Sequence, residues 1–506
     1  MHTCLKNLLT IFVGITILCS QLSGQQIRSI TILNADGMVG GKVPGKPDMQ
    51  RLIGNVAFSD SSVTMYCDSA HYYDTSNKMD AFSNIRIVQN NGTLTITAEV
   101  MNYDGEKKLA ELHKNVVVND VDMTLRTNAI YYDLRGGVAS YTDSAYIVNK
   151  ETVITSKRGQ YYKADKSLHF QKKVRINNPK YRIISDTVNY STVEKITEFF
   201  GPTNILTGKD SIYCERGWYN TNNEDSYLYK NPFYISDGRK VKADTLTYLK
   251  STGFGKAIGN VEMIDTAQNA VIKGNFAKYN LEKNLSVITD SALLIQISEG
   301  DSLFIHADTI RSQMDSTEKY QILSAYYKVR MFRKDMQGKC DSLCYSTADS
   351  TMQFFGEPIL WSDSSQMTAE FIKFYMVNKK IDKLELQNSA FIISRDDSAK
   401  YSQIKGKNMT GYFREGKIDK LLVKGNGQTI HFPKDGEEYI GMNKTTSTDV
   451  IIQMKDGKAD QITLLIKPEG TLYPLKDITK EDMFLKDFKW EIDKKPMKKE
   501  DIFIWK

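Results

Sequence analysis

The sequence contains little proline, cysteine or histidine, and cysteine and histidine are the residues that most often form disulfides, metal sites and nucleophilic or acid–base catalytic groups. Only 10 of its 506 residues are proline, 6 are cysteine and 6 are histidine. The cysteines include no C-x-x-C pair and are spread too widely for a disulfide framework, and no two histidines stand at ligand spacing. The motifs H-E-x-x-H, G-x-S-x-G and G-x-x-x-x-G-K-[ST] are absent. The sequence therefore predicts no catalytic residue, no metal site and no cofactor, and we expect a protein that is not an enzyme.

An excess of charge of one sign is also lacking. The 67 basic residues stand against 61 acidic ones, a net charge of +6. A nucleic-acid-binding protein concentrates lysine and arginine on one face, and no such concentration is present. Nucleic acid is therefore excluded as a partner.

Long apolar runs are missing except for one at the N-terminus. The run from Leu8 to Cys19 follows a short basic start and precedes small and polar residues up to Gly24. It is shorter than the ~20 residues that a membrane-spanning helix needs. Residues 1–24 are therefore predicted to be a cleaved signal peptide, with a retained anchor as the alternative, and the mature protein is expected to be exported.

A six-residue signature recurs about every thirty residues along the chain, which indicates stacked structural units. It consists of a small residue, an acid or amide, three further positions that include an apolar one, and an aromatic. Clear copies are Cys67–Tyr72, Ala98–Tyr103, Ser185–Tyr190 and Ala243–Tyr248. Three of the cysteines occupy the small position, as alanine, serine or glycine do elsewhere, which indicates packing and not chemistry.

Each unit has a second arm in which apolar residues alternate with charged ones, often after Asn or Gly, as in Asn84–Ile87 and Asn260–Met263. This alternation predicts strands and not helices. Turn sequences such as Asp104-Gly105 and Asp237-Gly238 favour antiparallel hairpins. We therefore predict an all-β protein, an elongated antiparallel β-jelly-roll or V-shaped open stack of about twelve units of ~30 residues.

Alternation also predicts which side chains face inward, because every second residue of a strand lies on the same face. The aromatic of the signature shares a face with the apolar residue two positions before it, and the alternating residues of the second arm form a matching set. The predicted lining of an apolar groove is Ile85, Ile87, Met101, Tyr103, Val116, Val118, Ile130, Tyr132, Val174, Ile176, Val188, Tyr190, Leu246, Tyr248, Val261 and Met263.

The signature acids form a column: Asp68, Glu99, Asp186, Glu215, Asp244, Asp308, Asp341 and Glu370. Paired catalytic carboxylates converge on one bond, whereas this column repeats in almost every unit. A row of cation sites is one interpretation, and a turn or strand-end residue that satisfies backbone amides is the one we favour. Strict alternation places the acid on the same face as the aromatic, unless it lies at a strand end or a bulge.

The pattern divides the chain into a signal peptide (1–24), a lead-in strand and loop (25–50), the repeats (51–440), terminal strands (441–467) and a basic C-terminal tail (468–506). Thr479 to Asp482 is similar to a capping box, which predicts a short helix in the tail.

The in-phase phrases Ala243-Asp-Thr-Leu-Thr-Tyr248 and Gly259-Asn-Val-Glu-Met263, with the N-terminal signal, resemble the OstA-like, organic-solvent-tolerance family over about residues 50–430. The resemblance implies a periplasmic β-jelly roll that carries the acyl chains of lipopolysaccharide or a similar glycolipid. It also implies partners among inner- and outer-membrane transport components, bound by edge-strand pairing. An extracellular β-solenoid that binds glycans or acts as an adhesin, and a polysaccharide lyase or hydrolase on a repeat scaffold, remain as alternatives.

Overall fold

The computed structural model describes residues 30–40, 49–60, 63–89, 92–280, 282–298, 300–317, 319–378, 380–455 and 458–505. The predicted signal peptide lies outside these residues. The chain forms two compact units, Met1–Ile147 and Val148–Lys506, and the boundary falls inside the predicted repeat region. Within the described part of the chain, no helix has the length and apolar character to cross a membrane.

Unit 1 is an antiparallel sheet. Its strands are β1 (Thr31–Asn34), β2 (Gly37–Gly40), β3 (Met49–Asp60), β4 (Val63–Tyr73), β5 (Lys78–Gln89), β6 (Leu94–Asp104), β7 (Leu109–Asp120), β8 (Met123–Asp133) and β9 (Val138–Tyr141), and β10 (Ala145–Asn149) spans the unit boundary. From β3 to β9 each strand pairs with the next one in the chain.

Unit 2 repeats this arrangement with some strands divided in two. Its strands are β11 (Thr152–Ser156), β12 (Arg158–Tyr162), β13 (Ser167–Asn177), β14 (Arg182–Ser191), β15 (Ile196–Thr207), β16 (Asp210–Asn220), β17 (Ser226–Tyr229), β18 (Phe233–Ser236), β19 (Arg239–Lys242), β20 (Thr245–Leu249), β21 (Phe254–Asp265), β22 (Ala270–Asn280), β23 (Leu285–Gln296), β24 (Leu303–Met314), β25 (Gln321–Arg333), β26 (Met336–Ser346), β27 (Thr351–Phe355), β28 (Ile359–Ser362), β29 (Ser365–Thr368), β30 (Phe371–Val377), β31 (Lys380–Arg395), β32 (Tyr401–Arg414), β33 (Lys417–His431), β34 (Lys434–Asp435), β35 (Glu438–Tyr439), β36 (Met442–Lys455), β37 (Lys458–Leu465) and β38 (Glu469–Tyr473).

Helical structure among the described residues is limited to short 3-10 segments at Lys250–Thr252, Leu475–Asp477, Ile492–Lys494 and Lys499–Phe503. Thr479 and Asp482, the suggested capping pair, bond to each other across a turn, with the Thr479 hydroxyl 2.6 Å from Oδ2 of Asp482. The predicted all-β antiparallel fold is confirmed, whereas the count of about twelve units stays a prediction.

Bulges in the middle of alternate long strands divide the paired strands into two arms. In β5, Ser83 and Asn84 both have positive φ, 67° and 47°, and together they lie opposite one residue, Asp68, of β4. Two residues opposite one constitute a β-bulge, which bends the strand. The same pair of positions recurs with positive φ at Gly54-Asn55, Lys114-Asn115, Lys230-Asn231, Gly259-Asn260 and Asn388-Ser389.

The signature acid holds this corner. The Asn84 side-chain amide donates to Asp68 at 2.8 Å, Asn231 donates to Glu215 at 2.9 Å, and Asn260 donates to Asp244 at 3.0 Å. The acid faces outward, because Cys67 and Ala70 on either side of Asp68 are both buried. Alternation therefore reverses at the corner, and the inward placement that strict alternation gives the acid is wrong.

In unit 1 the corners fold the sheet over on itself. Following the cross-strand pairs Tyr103–Met79, Met79–Tyr72 and Tyr72–Gln50 shows that Tyr103 of β6 is at the same height along the sheet as Gln50 of β3. A straight strand would place Asp60, about ten residues further along β3, ~33 Å from that level. The Tyr103 hydroxyl nevertheless lies 2.6 Å from Oδ2 of Asp60. The two arms of β3 to β6 therefore face each other across the interior.

The C-terminal strap, residues 482–505, lies against the outer face of the second arms in unit 2. Its backbone bonds to buried glutamines: Leu485 N–H donates to Gln403, and Glu491 N–H donates to Gln366, both at 2.8 Å. Further along, Arg330 donates to the carbonyl of Lys494 at 2.6 Å. The strap covers a second apolar cluster that contains Phe391, Ile393, Ile430, Phe432, Met442 and Leu485.

Replacing Leu485 by aspartate is expected to release the strap, because a carboxylate would have to enter this apolar cluster unpaired. We expect trypsin to cut at Lys486 and Lys489 at least about tenfold faster than in the parent protein, a change of ~1.4 kcal/mol in strap docking. Leu475→Asp is the matched control, because Leu475 is 44% exposed. Equal cleavage rates in the two variants would show that Leu485 does not anchor the strap.

Candidate functional site in the apolar interior

The interior of unit 1 is filled by the predicted lining residues. All eight of them are buried, with at most 7% of any residue exposed: Ile85, Ile87, Met101, Tyr103, Val116, Val118, Ile130 and Tyr132. They come from both arms of β5 to β8, and the corners bring the arms face to face. In this unit the structure therefore brings the predicted residues together as a packed core.

In unit 1, hydrogen bonds between polar side chains join the ends of the first arms to the ends of the second arms. Asp60, 2% exposed, accepts from the Tyr103 hydroxyl and from the ammonium group of Lys108. Two strands further along, the Tyr132 hydroxyl donates to Oε1 of Gln89 at 2.6 Å. Burial, together with the hydrogen bond to the Asp60 carboxylate, raises the pKa of Tyr103 well above its ordinary value. We call this line of contacts the seam.

In unit 2, the first part of the interior contains a small cavity. Its free volume is about 10 Å³, room for about one water molecule, and its walls include Ile176 and Tyr190 from the predicted lining with Ile154, Tyr181 and Thr197. Thr197 is fully buried, and its hydroxyl has no hydrogen-bond partner among the described residues. Burial raises the pKa of Tyr190. Ligand pockets enclose roughly 300–1,000 Å³, so this void is a gap in the packing and not a lipid site by itself.

Further along unit 2, the inward residues of β20 and β21 are less covered than their counterparts in unit 1. Leu246, Tyr248 and Met263 are only half-buried, although Val261 beside them is buried. The register accounts for the exposure of Tyr248, because Gly255 pairs with both Tyr248 and Tyr279 and has no side chain to cover them. Leu246 and Met263 pack against the interior cluster of unit 2 but are not fully covered by it.

Of the remaining predicted lining residues, Val174, Ile176 and Val188 are buried. Sequence reasoning missed the seam residues Asp60, Gln89 and Lys108. Asp60 and Gln89 end strands, where a polar residue looks like ordinary turn material. The cysteines at the small position are buried, and burial raises the pKa of Cys67 to about 11 and that of Cys214 to about 12, which leaves both as unreactive thiols.

Comparison with known proteins connects this interior to one family. Residues 28–186 match the model of the OstA-like protein family. The resemblance inferred from the repeated phrases is thereby confirmed for this segment, which includes the filled interior of unit 1 and the first strands of unit 2. No curated protein matches the chain.

Among solved structures, the chain is similar to LptH from Pseudomonas aeruginosa. That protein is described as the LptA-homologous periplasmic component of the conserved lipopolysaccharide transport device. The identity is 8%, the alignment covers 28% of this chain and 99% of that one, and the TM-score is 0.22. At this identity and TM-score, the fold assignment depends on the chain's own strand pairing.

Proposed function

We propose that the chain is a periplasmic, non-enzymatic carrier that shelters the acyl chains of lipopolysaccharide or a similar glycolipid inside its rolled sheets. The observation that carries the proposal is the incompletely covered apolar interior at Leu246, Tyr248 and Met263. The match of residues 28–186 to the OstA-like family supports it. The proposal gives this chain a role of the same kind as that of LptH, a component of a lipopolysaccharide transport device.

The physical reason is the cost of exposing apolar surface to water. Each 100 Å² of acyl chain that leaves water for such an interior gains ~2.5 kcal/mol. The inward residues of β20 and β21 would gain in the same way, because the lipid would complete their burial. Sugars and phosphates would remain outside in solvent. No step of this process needs a catalytic residue or a cofactor.

The two units would contribute differently. In unit 1 the lining is already covered, and the seam at Tyr103, Asp60 and Lys108 closes the interior. A lipid could enter there only if the seam opened. We therefore propose that the first contact with the acyl chains is made in unit 2, at the partly exposed residues of β20 and β21.

The ends of the described sheets would dock the membrane components. Among the described residues, β1 and β2 pair only with β3, and β37 and β38 pair only with β36. Both ends carry exposed apolar residues, with Met38 at 54%, Val39 at 61% and Leu472 at 58%. Exposed edge strands are templates for pairing with another chain. Inner- and outer-membrane transport components are the proposed partners.

Photo-crosslinking tests the carrier function. A photoreactive amino acid at Met263 or Ile176, in protein exposed to lipopolysaccharide, is expected to yield lipid adducts. Glu262, next to Met263 on the opposite face of β21, and the exposed Arg86 are the controls and are expected to yield few. Val118 in the filled unit 1 is expected to react less than Met263. Adducts at Glu262 and Arg86 with none at Met263 or Ile176 would overturn the proposal.

A further inference from the structure

The outer face of unit 2 carries a row of aromatic rings that the proposed lipid interior does not use. Phe200, Arg216 and Tyr229 lie side by side on three adjacent strands, and Trp218 and Tyr227 form the next row. Phe200 is 43% exposed, Tyr227 40% and Tyr229 37%. These large side chains face solvent on neighbouring strands, so they form one contiguous patch, and contiguous exposed apolar patches mark binding surfaces.

Cations accompany the rings. The Arg216 guanidinium lies 5.9 Å from the centre of the Phe200 ring. On β21 and β22, the ammonium groups of Lys256 and Lys278 lie 5.5 Å and 5.4 Å from the centre of the Phe276 ring. This second group continues the same rows, because Lys256 and Tyr227 both pair with Thr247 of β20.

The two lysines are placed unfavourably for stability. Lys256 and Lys278 are direct cross-strand partners, and like charges opposite each other destabilise a sheet. Neither makes an ion pair within 4.0 Å among the described residues. The nearby corner carboxylates Glu215 and Asp244 already accept hydrogen bonds from asparagine amides, and Glu198 is exposed at the end of the Trp218 row.

We propose that this face, from β15 to β22, binds an acidic oligosaccharide, that is, sugar rings bearing phosphate or carboxylate groups. The flat C–H face of a pyranose packs on an aromatic ring, and the Tyr and Trp polar groups can bond to its hydroxyls. Arg216, Lys256 and Lys278 supply the charge for the anionic groups, and the opposed lysines gain a counter-ion. A protein partner would be expected to use the exposed strand edges, which this face does not contain.

The C-terminal strap leaves this surface accessible. The strap contacts the outer face of the second arms, at residues such as His306, Arg330 and Gln366. The aromatic rows lie on the first arms of other strands. The proposed saccharide surface is independent of the lipid interior, since it is formed by side chains of the opposite face.

The test measures binding of saccharides that carry no acyl chain to the full-length protein. The probes are de-acylated lipopolysaccharide, oligogalacturonate and neutral dextran oligomers, each at low and high salt. We expect saturable binding of both acidic probes, at least about tenfold tighter than dextran and weaker at high salt. Tyr227→Ala with Tyr229→Ala, and Lys256→Gln with Lys278→Gln, are each expected to weaken binding about tenfold. The control is Tyr412→Ala, 41% exposed on β32, with an expected effect below about twofold.

Two results would overturn the proposal. One is the absence of saturable binding of either acidic probe. The other is unchanged binding when both tyrosines are replaced. Binding would then depend on charge alone and not on the aromatic rings. Equal binding of anionic phospholipid vesicles, lost in the same variants, would assign the patch to a lipid surface instead. Because no probe has acyl chains, failure here leaves the crosslinking test of the lipid interior unaffected.

Discussion

Replacing Asp60 by alanine is expected to lower the free energy of unfolding of unit 1 by about 3 kcal/mol, because it leaves a partly buried ammonium group without its counter-charge. The side chain of Asp60 is 1% exposed and that of Lys108 is 17% exposed. The substitution also removes the acceptor of the buried Tyr103 hydroxyl. Hydrogen exchange of the β3 to β8 amides measures the effect, since it reports on unit 1 separately from the rest of the chain.

A second substitution separates charge from packing. In Asp60→Ala with Lys108→Met, no unpaired charge remains, and we expect more than about half of the lost stability to return. Lys78→Ala is the control for an exposed pair, because Lys78 is 50% exposed in its contact with Asp104, and we expect it to cost at most ~1 kcal/mol. A loss of that small size for Asp60→Ala would show that the seam is solvated and does not hold the arms together.

The inner face of the sheets could be predicted from sequence, because alternation is a local property of a strand. Met101 with Tyr103 and Val116 with Val118 are buried, as expected from their shared face. Alternation alone does not decide between an inward acid and a bulge at the acid, because the bulge belongs to the neighbouring strand. The asparagine that opens many second arms was the available signal, since asparagine tolerates positive φ and Asn84 adopts it.

The seam could not be predicted, for a physical reason. Tyr103 and Asp60 are 43 residues apart, and so are Tyr132 and Gln89. They meet only because the intervening strands both pair and fold over at their corners. Hydrophobic periodicity specifies which face a residue occupies, but it does not specify how sharply a corner bends or which strand tips meet.

The sequence pattern predicts a basic tail where the structure has the strap, although the sequence of one strand indicates that something covers its outer face. The run Ala390-Phe391-Ile392-Ile393 is apolar at every position, and such a run indicates a strand covered on both faces. Ala390 and Ile392 belong to the interior cluster, whereas Phe391 and Ile393 belong to the cluster beneath the strap. The C-terminal tail contains the apolar residues Phe484, Leu485 and Phe488, which fit the role of covering that outer face.

Replacing Gly259 by alanine is expected to destabilise unit 2 by about 2–4 kcal/mol, combining the cost of a positive φ with the cost of displacing the Asp244 carboxylate. Gly259 has a φ of 74°, and a Cβ atom there would lie 2.2 Å from Oδ2 of Asp244. The carboxylate could move only by giving up the amide of Asn260, which it accepts at 3.0 Å. Chemical denaturation followed by hydrogen exchange in β20 to β22 measures the change.

The chain offers a matched control for the backbone contribution. Gly208 also has positive φ, 57°, but a Cβ atom there would meet nothing within 4 Å, so Gly208→Ala is expected to cost only ~1 kcal/mol. Adding Asp244→Ala to Gly259→Ala removes the colliding carboxylate, so the two changes together should cost less than the sum of the single ones. If the costs simply add, the acid does not support the corner, and the repeated acid column would need another explanation. If they do not, each copy of the signature stabilises one corner, and the corners together maintain the interior proposed to hold lipid.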